Sequence, residues 1–352
     1  MKTLRCTTLI AGLGLAFVLG WLFSGRAVHG GGKDAPSAPG WTKGKGWGPW
    51  DDGDEIGALN AMTAASIKAA LAGIKQGKVY DLGTPYDAES FKWPGHAPGA
   101  IMTFRGPEGV RRQGDFKAAN DPKLNPDRVA WHSCALFISD NIATQIDGLA
   151  HITSGDENRW YNGFKEADWG GNFGVRKCDA DSIPPIITRG VLLDVAGFRK
   201  VDALPAHYKI TAEDLQATAA AQGTKIRPGD TVLIRTGTLR YWGPNGADHK
   251  KIGEHDSAGI DLAAARWLVE QQGAILIASD TSGLEHGPSA MEPQTFIPVH
   301  RYLLVQQGVH IGEFHHLEAL AKDRAYEFCY VCMTNRIRGA TAGFALRPIA
   351  IR

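Results

Sequence analysis

The sequence predicts a single α+β or α/β domain. Short apolar runs recur along the chain, as expected of buried strands, while segments with helical periodicity are few. The 352 residues include 43 Gly and 18 Pro, which is a composition rich in turns. Because strands and long helices do not alternate regularly, a repeated βαβ array is not expected.

The first element is a predicted helix that begins after Thr63 and ends near Gly77. Thr63 suits the N-cap position, where its hydroxyl can accept a hydrogen bond from the first turn. Apolar residues then recur at the spacing of one helix face, at Ile67, Ala70, Leu71 and Ile74. Two further helices are predicted at 263–272, closed by Gly273, and at 302–307.

Strands are predicted, in chain order, at 78–83, 135–139, 190–195, 231–235, 274–279, 309–313 and 325–333. Residues 94–126 are rich in loop-forming residues, and we expect them to frame the mouth of a pocket. Cys329 and Cys332 lie in the last strand, where residues three apart face opposite sides of the sheet. We therefore expect a structural role for this pair rather than a redox or zinc site.

The N-terminus predicts export. Lys2 and Arg5 precede a nearly uncharged apolar stretch, so residues 1–30 are interpreted as a signal peptide or as a membrane anchor through residues 6–25. Residues 31–40 are expected to be a flexible linker, and 41–352 a single catalytic domain that is periplasmic, secreted or anchored. The net charge of +1 gives no indication of a nucleic-acid partner.

The segment 144–151 carries the strongest chemical signal. In a strand, Gln145 and Asp147 point to the same face. Gly148 is expected to let the backbone bend and approach a ligand, which would bring His151 back over the same place. Oxygen ligands beside a titratable base are what a metal-assisted hydrolase requires.

Several ordered motifs accompany this segment. They lie at 189–194, 228–237, 279–285, 298–304, 338–343 and 347–350. Together they resemble the cyclase family of metal-dependent hydrolases, which includes bacterial kynurenine formamidase and isatin hydrolase. The resemblance extends from about residue 41 to the C-terminus, and residues 47–60 are similar to its longer-chain branch. It implies a swivelling β/β/α-type α/β domain with a mixed β-sheet, and a homo-oligomer.

The chain departs from the family pattern His-x-Gly-Thr-His-x-Asp-x-Pro-x-His at two ligand positions. Asp147 and His151 match, but Asn141 and Gln145 stand where the family has metal-binding histidines. Amide oxygens bind hard divalent ions and are weaker zinc ligands than imidazole. The departure therefore favours Mn²⁺ slightly over Zn²⁺, or else a weakened or lost site.

The resemblance also supplies His300 and Glu313 as ligands. The implied metal site consists of Asp147, Gln145, His300, Glu313 and Asn141, with His151 as the catalytic base and acid. The expected reaction is hydrolysis of an amide or formamide C–N bond in a small molecule, with aryl and cyclic amides included.

Two alternatives remain at this point. The first is a metal-free lactone hydrolase or dehydratase that uses Asp147 and His151 as an acid–base pair. The second is a non-catalytic exported binding protein on the same fold. Asp280 and Glu285 are interpreted as structural residues, either in turns or as buried partners of arginines such as Arg189 and Arg338.

Overall fold

A nine-stranded mixed sheet organises the chain. The computed structural model describes residues 50–87, 90–91, 93–96, 99–242, 248–252, 258–287 and 296–352. Within these residues the strand order is β1-β13-β11-β5-β7-β9-β10-β4-β12. The central strands β5, β7, β9 and β10 are parallel, and the flanking pairs are antiparallel. This mixed α/β architecture is the predicted fold class.

The strands and helices have the following bounds. The strands of the large sheet are β1 Val79–Asp81, β4 Gln145–Asp147, β5 Ile186–Asp194, β7 Thr231–Arg235, β9 Leu276–Ser279, β10 His310–Glu313, β11 Glu327–Cys332, β12 Ala342–Gly343 and β13 Ile349–Ile351. Two smaller sheets pair β2 Gly99–Arg105 with β3 Ser133–Ile138, and β6 Lys209–Ile210 with β8 Gly259–Ile260. The α-helices are α1 Ala64–Ala72, α2 Pro107–Gln113, α3 Lys117–Asn120, α4 Glu166–Trp169, α5 Val195–Phe198, α6 Ala212–Gln222, α7 His249–Ile252, α8 Leu262–Arg266, α9 Pro298–His300 and α10 Glu318–Lys322.

The first helix begins as predicted and ends earlier. Thr63 caps α1 through a capping box with Ser66, in which each side chain accepts a hydrogen bond from the other's backbone amide. The helix ends at Ala72, before Gly73, so the expected end near Gly77 is wrong by about one turn. The predicted segments 263–272 and 302–307 are helical, but residues 267–271 and 301–307 are wound as π-helix.

Residues 94–126 are more ordered than predicted. They contain β2, α2 and α3, and β2 pairs with β3 to form a separate two-stranded ribbon. Most side chains of this ribbon are exposed on both faces, so the alternation that reveals a strand with one buried face is absent from the sequence.

The centre of the sheet is buried on both faces. Every residue of β7, β9 and β10 is buried, and β5 is nearly so, as expected for parallel strands covered on both sides. On the far side of β10 the short strands β4 and β12 continue the sheet in antiparallel fashion. The site described below lies where this antiparallel edge meets the parallel strands.

The described cysteines are all free thiols, and three of the four are buried. The Cys329–Cys332 pair lies within β11, which agrees with the predicted structural role. No helix among the described residues is long and apolar enough to cross a membrane. The predicted signal or anchor and the linker, residues 1–40, lie outside the described residues.

Candidate metal centre

Strands β4 and β10 bring the first site residues together. Their antiparallel register places Gln145 opposite Glu313 and Asp147 opposite Ile311. Residues two apart share a face, so Gln145, Asp147 and Glu313 all project to the same side. The predicted common orientation of Gln145 and Asp147 is confirmed, since Gln145 Nε2 lies 3.2 Å from Asp147 Oδ1.

The three-residue helix α9 adds His300 to this face. Its Nε2 lies 3.6 Å from Glu313 Oε1 and 3.9 Å from Asp147 Oδ2. Asp147, His300 and Glu313 each offer one ligand atom, and these atoms all lie within 4.8 Å of one another. All three residues are buried, with exposed fractions of 0, 7 and 5%.

The charges of this cluster favour a cation. Asp147, Glu313 and the neighbouring Glu285 are buried carboxylates around one imidazole, and in the described part of the chain no lysine or arginine forms an ion pair with them. Burial alone would lower the pKa of His300, but the carboxylates of Glu285 and Glu313 raise it to about 10. Burial, and then the charge of Asp147, raise the pKa of Glu313 to about 8.

Asp147 Oδ2 is the clearest indication that this cluster binds a further group. This oxygen is buried and has no hydrogen-bond partner, which is costly for a carboxylate. The unmet acceptor lies beside an imidazole nitrogen and a second carboxylate, so the donor set suits a divalent ion with oxygen and nitrogen ligands. The residues present therefore fit the implied metal.

Gln145 occupies the cluster differently from what was expected. It presents its amide nitrogen, which donates to Asn141 Oδ1, Asp147 Oδ1 and Glu313 Oε2 at 3.1, 3.2 and 2.9 Å. An amide nitrogen does not ligate a metal, and Gln145 Oε1 is buried without a hydrogen-bond partner. In this arrangement Gln145 holds the carboxylates in place rather than acting as a ligand itself.

Asn141 lies behind Gln145 and is fixed by Asp140. Asn141 Nδ2 donates to Asp140 Oδ1, and Asp140 Oδ2 accepts hydrogen bonds from the Thr341 amide and hydroxyl. This network ties the loop after β3 to the turn before β12. Asn141 Oδ1 already accepts from Gln145, so Asn141 supports the cluster from outside it.

His151 lies outside the group of three. It is partly exposed, and its ring centroid is 5.8 Å from that of His96. Burial, followed by the neighbouring His151, lowers the pKa of His96. Nothing in the sequence singles out His96, because it falls in a segment predicted only as loop.

Gly148 has a different role from the predicted one. A Cβ atom there would lie 2.6 Å from the carbonyl oxygen of Thr341 and 3.3 Å from that of Cys178. Its amide also donates to Thr341 at 2.8 Å. The absent side chain therefore allows two backbones to approach each other, whereas we had expected the approach of a ligand.

Asp280 and Glu285 do not pair with the suggested arginines. Asp280 accepts hydrogen bonds from the amides of Thr236 and Gly237, which is a structural role. Arg189 pairs instead with Asp230 and Glu327, and Arg338 with Asp181. Glu285 contacts the site directly, since its Oε1 lies 2.9 Å from His300 Nδ1.

Comparisons with known proteins agree with this fold. The family model described as Putative cyclase matches residues 80–286. A crystal structure described as that of a novel cyclase is 32% identical with a TM-score of 0.73, covering 87% of this chain and 99% of its own. The fold is that of the cyclase-type α/β proteins, and the chain belongs to the Putative cyclase family.

More distant structures share the fold. Isatin hydrolase A from Ralstonia solanacearum is 20% identical with a TM-score of 0.56, covering 81% of this chain and 95% of its own. Isatin hydrolase A from Labrenzia aggregata, bound to benzyl benzoate, is 18% identical with a TM-score of 0.53, covering 81% and 98%. A comparison with curated protein sequences gave no match.

Proposed function

We propose that this protein is a metal-dependent amidohydrolase that cleaves an amide or formamide C–N bond. The observation that carries the proposal is the unpartnered Asp147 Oδ2 beside His300 Nε2 and Glu313 Oε1, in a buried cluster with excess negative charge. When bound, a divalent ion supplies a Lewis acid that polarises a carbonyl and lowers the pKa of water.

Asp147, His300 and Glu313 are the proposed ligands. Two carboxylates and one imidazole, with no thiolate, favour Mn²⁺ slightly over Zn²⁺. Gln145 hydrogen-bonds Asp147 and Glu313, so it fixes the orientation of both carboxylates. Gln145 joins the ligands only if its amide turns to present Oε1.

His151 is the proposed general base and acid. It is partly exposed, four positions after Asp147, and its ring lies 5.8 Å from that of His96, whose pKa is also affected by the charge of Asp147. It would take the proton of the attacking water and return it to the leaving nitrogen.

An aromatic substrate is supported by the residues that follow Glu313. Phe314 belongs to a small apolar cluster with Phe91 and Trp242, at ring-centroid distances of 6.0 and 5.3 Å. The Thr144 hydroxyl donates to the Phe314 carbonyl at 2.7 Å, which ties this cluster to β4. Two fold relatives are named for hydrolysing isatin, a cyclic aryl amide, so we propose aryl or cyclic amides as substrates.

Bound metal and turnover in Asp147→Asn test this function. This substitution removes one charge while keeping the size of the side chain. We expect about one Mn or Zn per chain in the wild type by plasma mass spectrometry, and little metal or amidase activity in the variant, with the thermal midpoint nearly unchanged. A wild-type chain that turns over lactones in the presence of a chelator would support the metal-free alternative.

We also propose a homo-oligomer, in which the β2–β3 ribbon packs against a second copy of the chain. A two-stranded ribbon alone is marginally stable. The ribbon and its connection expose large apolar side chains: Ile101, Met102, Phe104, Phe116, Leu124, Val129, Trp131, Leu136 and Phe137. Their exposed area is on the order of 800 Å², about what each partner contributes to a standard interface.

Light scattering tests this assembly. The double variant Phe104→Ser, Phe137→Ser is expected to be monomeric, whereas Phe173→Ser, which changes a fully exposed phenylalanine outside the ribbon, is expected to keep the wild-type mass. A monomeric wild type would contradict the proposal. Export, with cleavage or membrane anchoring in residues 1–30, remains a proposal to be tested by cell fractionation.

A further inference from the structure

Glu285 is bound by two consecutive residues of α9. Its Oε1 lies 2.9 Å from His300 Nδ1, and its Oε2 accepts a hydrogen bond of 2.6 Å from the Val299 amide. The side chain is buried, so neither contact competes with solvent. Both oxygens of Glu285 therefore act as acceptors, and they do so toward the segment that carries one of the proposed ligands.

We propose that Glu285 is a positioning residue that fixes the tautomer and ring orientation of His300 for the bound ion. This inference rests on the proposed function. An acceptor at Nδ1 keeps one ring hydrogen on Nδ1, so Nε2, on the side of Asp147 and Glu313, is the nitrogen left to bind the ion. Carboxylates that hold metal-binding histidines in this way raise the affinity for the metal.

The backbone around this pair is strained. Leu284, directly before Glu285, has φ +57°, and Ile297, at the start of the segment that carries His300, has φ +40°. Positive φ is unfavourable for bulky side chains, and for a β-branched residue such as Ile297 it is exceptional. Strain of this kind persists where the surrounding structure enforces it, and it is concentrated at functional sites.

Strand β8 holds Glu285 in position. The Ile260 amide donates to the Leu284 carbonyl at 3.1 Å, and the His286 amide donates to the Ile260 carbonyl at 2.9 Å. A Cβ atom at Gly259 would lie 2.3 Å from the carbonyl carbon of Glu285, so only glycine allows this approach. The backbone on both sides of Glu285 is thus fixed by β8, while its side chain contacts His300.

Replacing Glu285 with glutamine distinguishes the positioning of His300 from a role limited to binding the Val299 amide of α9. The contacts with Val299 and His300 use different oxygens of Glu285, and a glutamine at 285 keeps only one of these two acceptors, so it cannot reproduce both contacts in place. If the oxygen of this glutamine keeps the hydrogen bond from the Val299 amide, its NH₂ group faces His300 Nδ1. That nitrogen must then accept, and the ring hydrogen moves to Nε2, where it blocks ligation. Glu285→Gln therefore opposes metal binding while leaving the packing intact.

The experiment compares the wild type, Glu285→Gln and Asp280→Asn, purified from a host that exports the chain and stripped of metal. Affinities for Mn²⁺ and Zn²⁺ are measured by competition with a chromophoric chelator, and metal-free thermal midpoints by calorimetry. We expect Glu285→Gln to bind both ions about 10- to 100-fold more weakly at a nearly unchanged midpoint. Asp280→Asn, the matched buried carboxylate, is expected to lower the midpoint and leave the affinities unchanged.

A second readout uses the wild type alone. In the Co²⁺-loaded protein, proton NMR should show a shifted, exchangeable imidazole N–H that assigns to His300 Nδ1 and exchanges slowly because Glu285 binds it. Ligation through Nδ1, or equal affinities in the wild type and Glu285→Gln, would overturn the proposed role of Glu285 but not the proposed function. A wild type that binds neither Mn²⁺ nor Zn²⁺ would overturn the proposed function and this inference together.

Discussion

Gln145 and Glu313 are 168 positions apart in the chain, yet they face each other across the β4–β10 pair, joined by a hydrogen bond of 2.9 Å from Gln145 Nε2 to Glu313 Oε2. In the related family pattern a metal-binding histidine stands at the position of Gln145. At this position the amide nitrogen of Gln145, a hydrogen-bond donor, therefore stands where the family pattern has an imidazole lone pair. Its hydrogen bonds hold the carboxylates of the cluster close together.

Gln145→His is expected to increase the affinity for Zn²⁺ by about tenfold, since imidazole is a better zinc ligand than an amide. Isothermal titration of the metal-free protein with Zn²⁺ measures the change. Gln145→Leu serves as the control, because it removes the hydrogen bonds without adding a ligand, and it should weaken binding. A Gln145→His variant with wild-type affinity would show that this position does not reach the ion.

His151→Asn is expected to lower kcat by about 10²- to 10⁴-fold, the usual contribution of a general base, with the metal content unchanged. His151 lies outside the group formed by Asp147, His300 and Glu313, so its loss removes no proposed ligand. Steady-state kinetics on aryl formamides, with metal analysis of the same sample, make the test. Loss of metal together with activity would assign His151 to the ligands instead.

Trp242→Leu is expected to raise KM for aryl formamides by about tenfold, because burial of one aromatic side chain contributes about 1.5 kcal/mol or more, and to change KM for alkyl formamides little. Trp242 packs on Phe314 beside Glu313. The matched control is Trp267→Leu, a similarly buried tryptophan in the main core. An equal effect of Trp242→Leu on both substrate classes would place the aryl group elsewhere.

The buried carboxyl of Asp280 is expected to make the stability of the folded protein depend on pH. Burial raises its pKa to about 6, although Thr236 and Gly237 donate hydrogen bonds to it. The folded state then holds the proton more tightly than the unfolded state. The contribution of this carboxyl to the free energy of unfolding therefore falls by up to about 3 kcal/mol as the pH rises from about 4 to 6.

Urea unfolding of the wild type and Asp280→Asn at several pH values measures this contribution. The difference in unfolding free energy between the two should change across pH 4–6 and be flat from pH 7 to 8. The lost acceptor in the variant adds an offset that does not depend on pH. A flat difference over the whole range would show that Asp280 is not perturbed by burial.

Much of the fold can be predicted from local sequence patterns. The strand predicted at 231–235 has the bounds of β7, because four apolar or β-branched positions follow a Pro-Gly-Asp turn in which Gly229 has φ +90°. The strand predicted at 135–139 overlaps β3, whereas β2 was not predicted, because it buries neither face and its sequence shows no alternation. The π-helical turns depend on packing that periodicity does not reveal.

The site was predictable only in part. The resemblance to a known family pointed to Asp147, His300 and Glu313, and the structure brings these three together. Glu285 is interpreted from the sequence only as a structural residue, in a turn or paired with an arginine, because its contact with His300 spans fifteen positions with no periodic relation. The direction in which the Gln145 amide turns is set by Asn141, four positions earlier, and by Glu313, which becomes a neighbour only after folding.

The centre draws on segments from β4 to β10, and β10 pairs with β9 on one side and β4 on the other. Contacts of such long sequence separation are slow to form, and the unfolded chain offers no preassembled set of ligands. An ion held at this centre would therefore be acquired late and would not act as a template for folding. If the chain is exported as proposed, the metal supply of the compartment where folding finishes would decide which ion the mature protein carries.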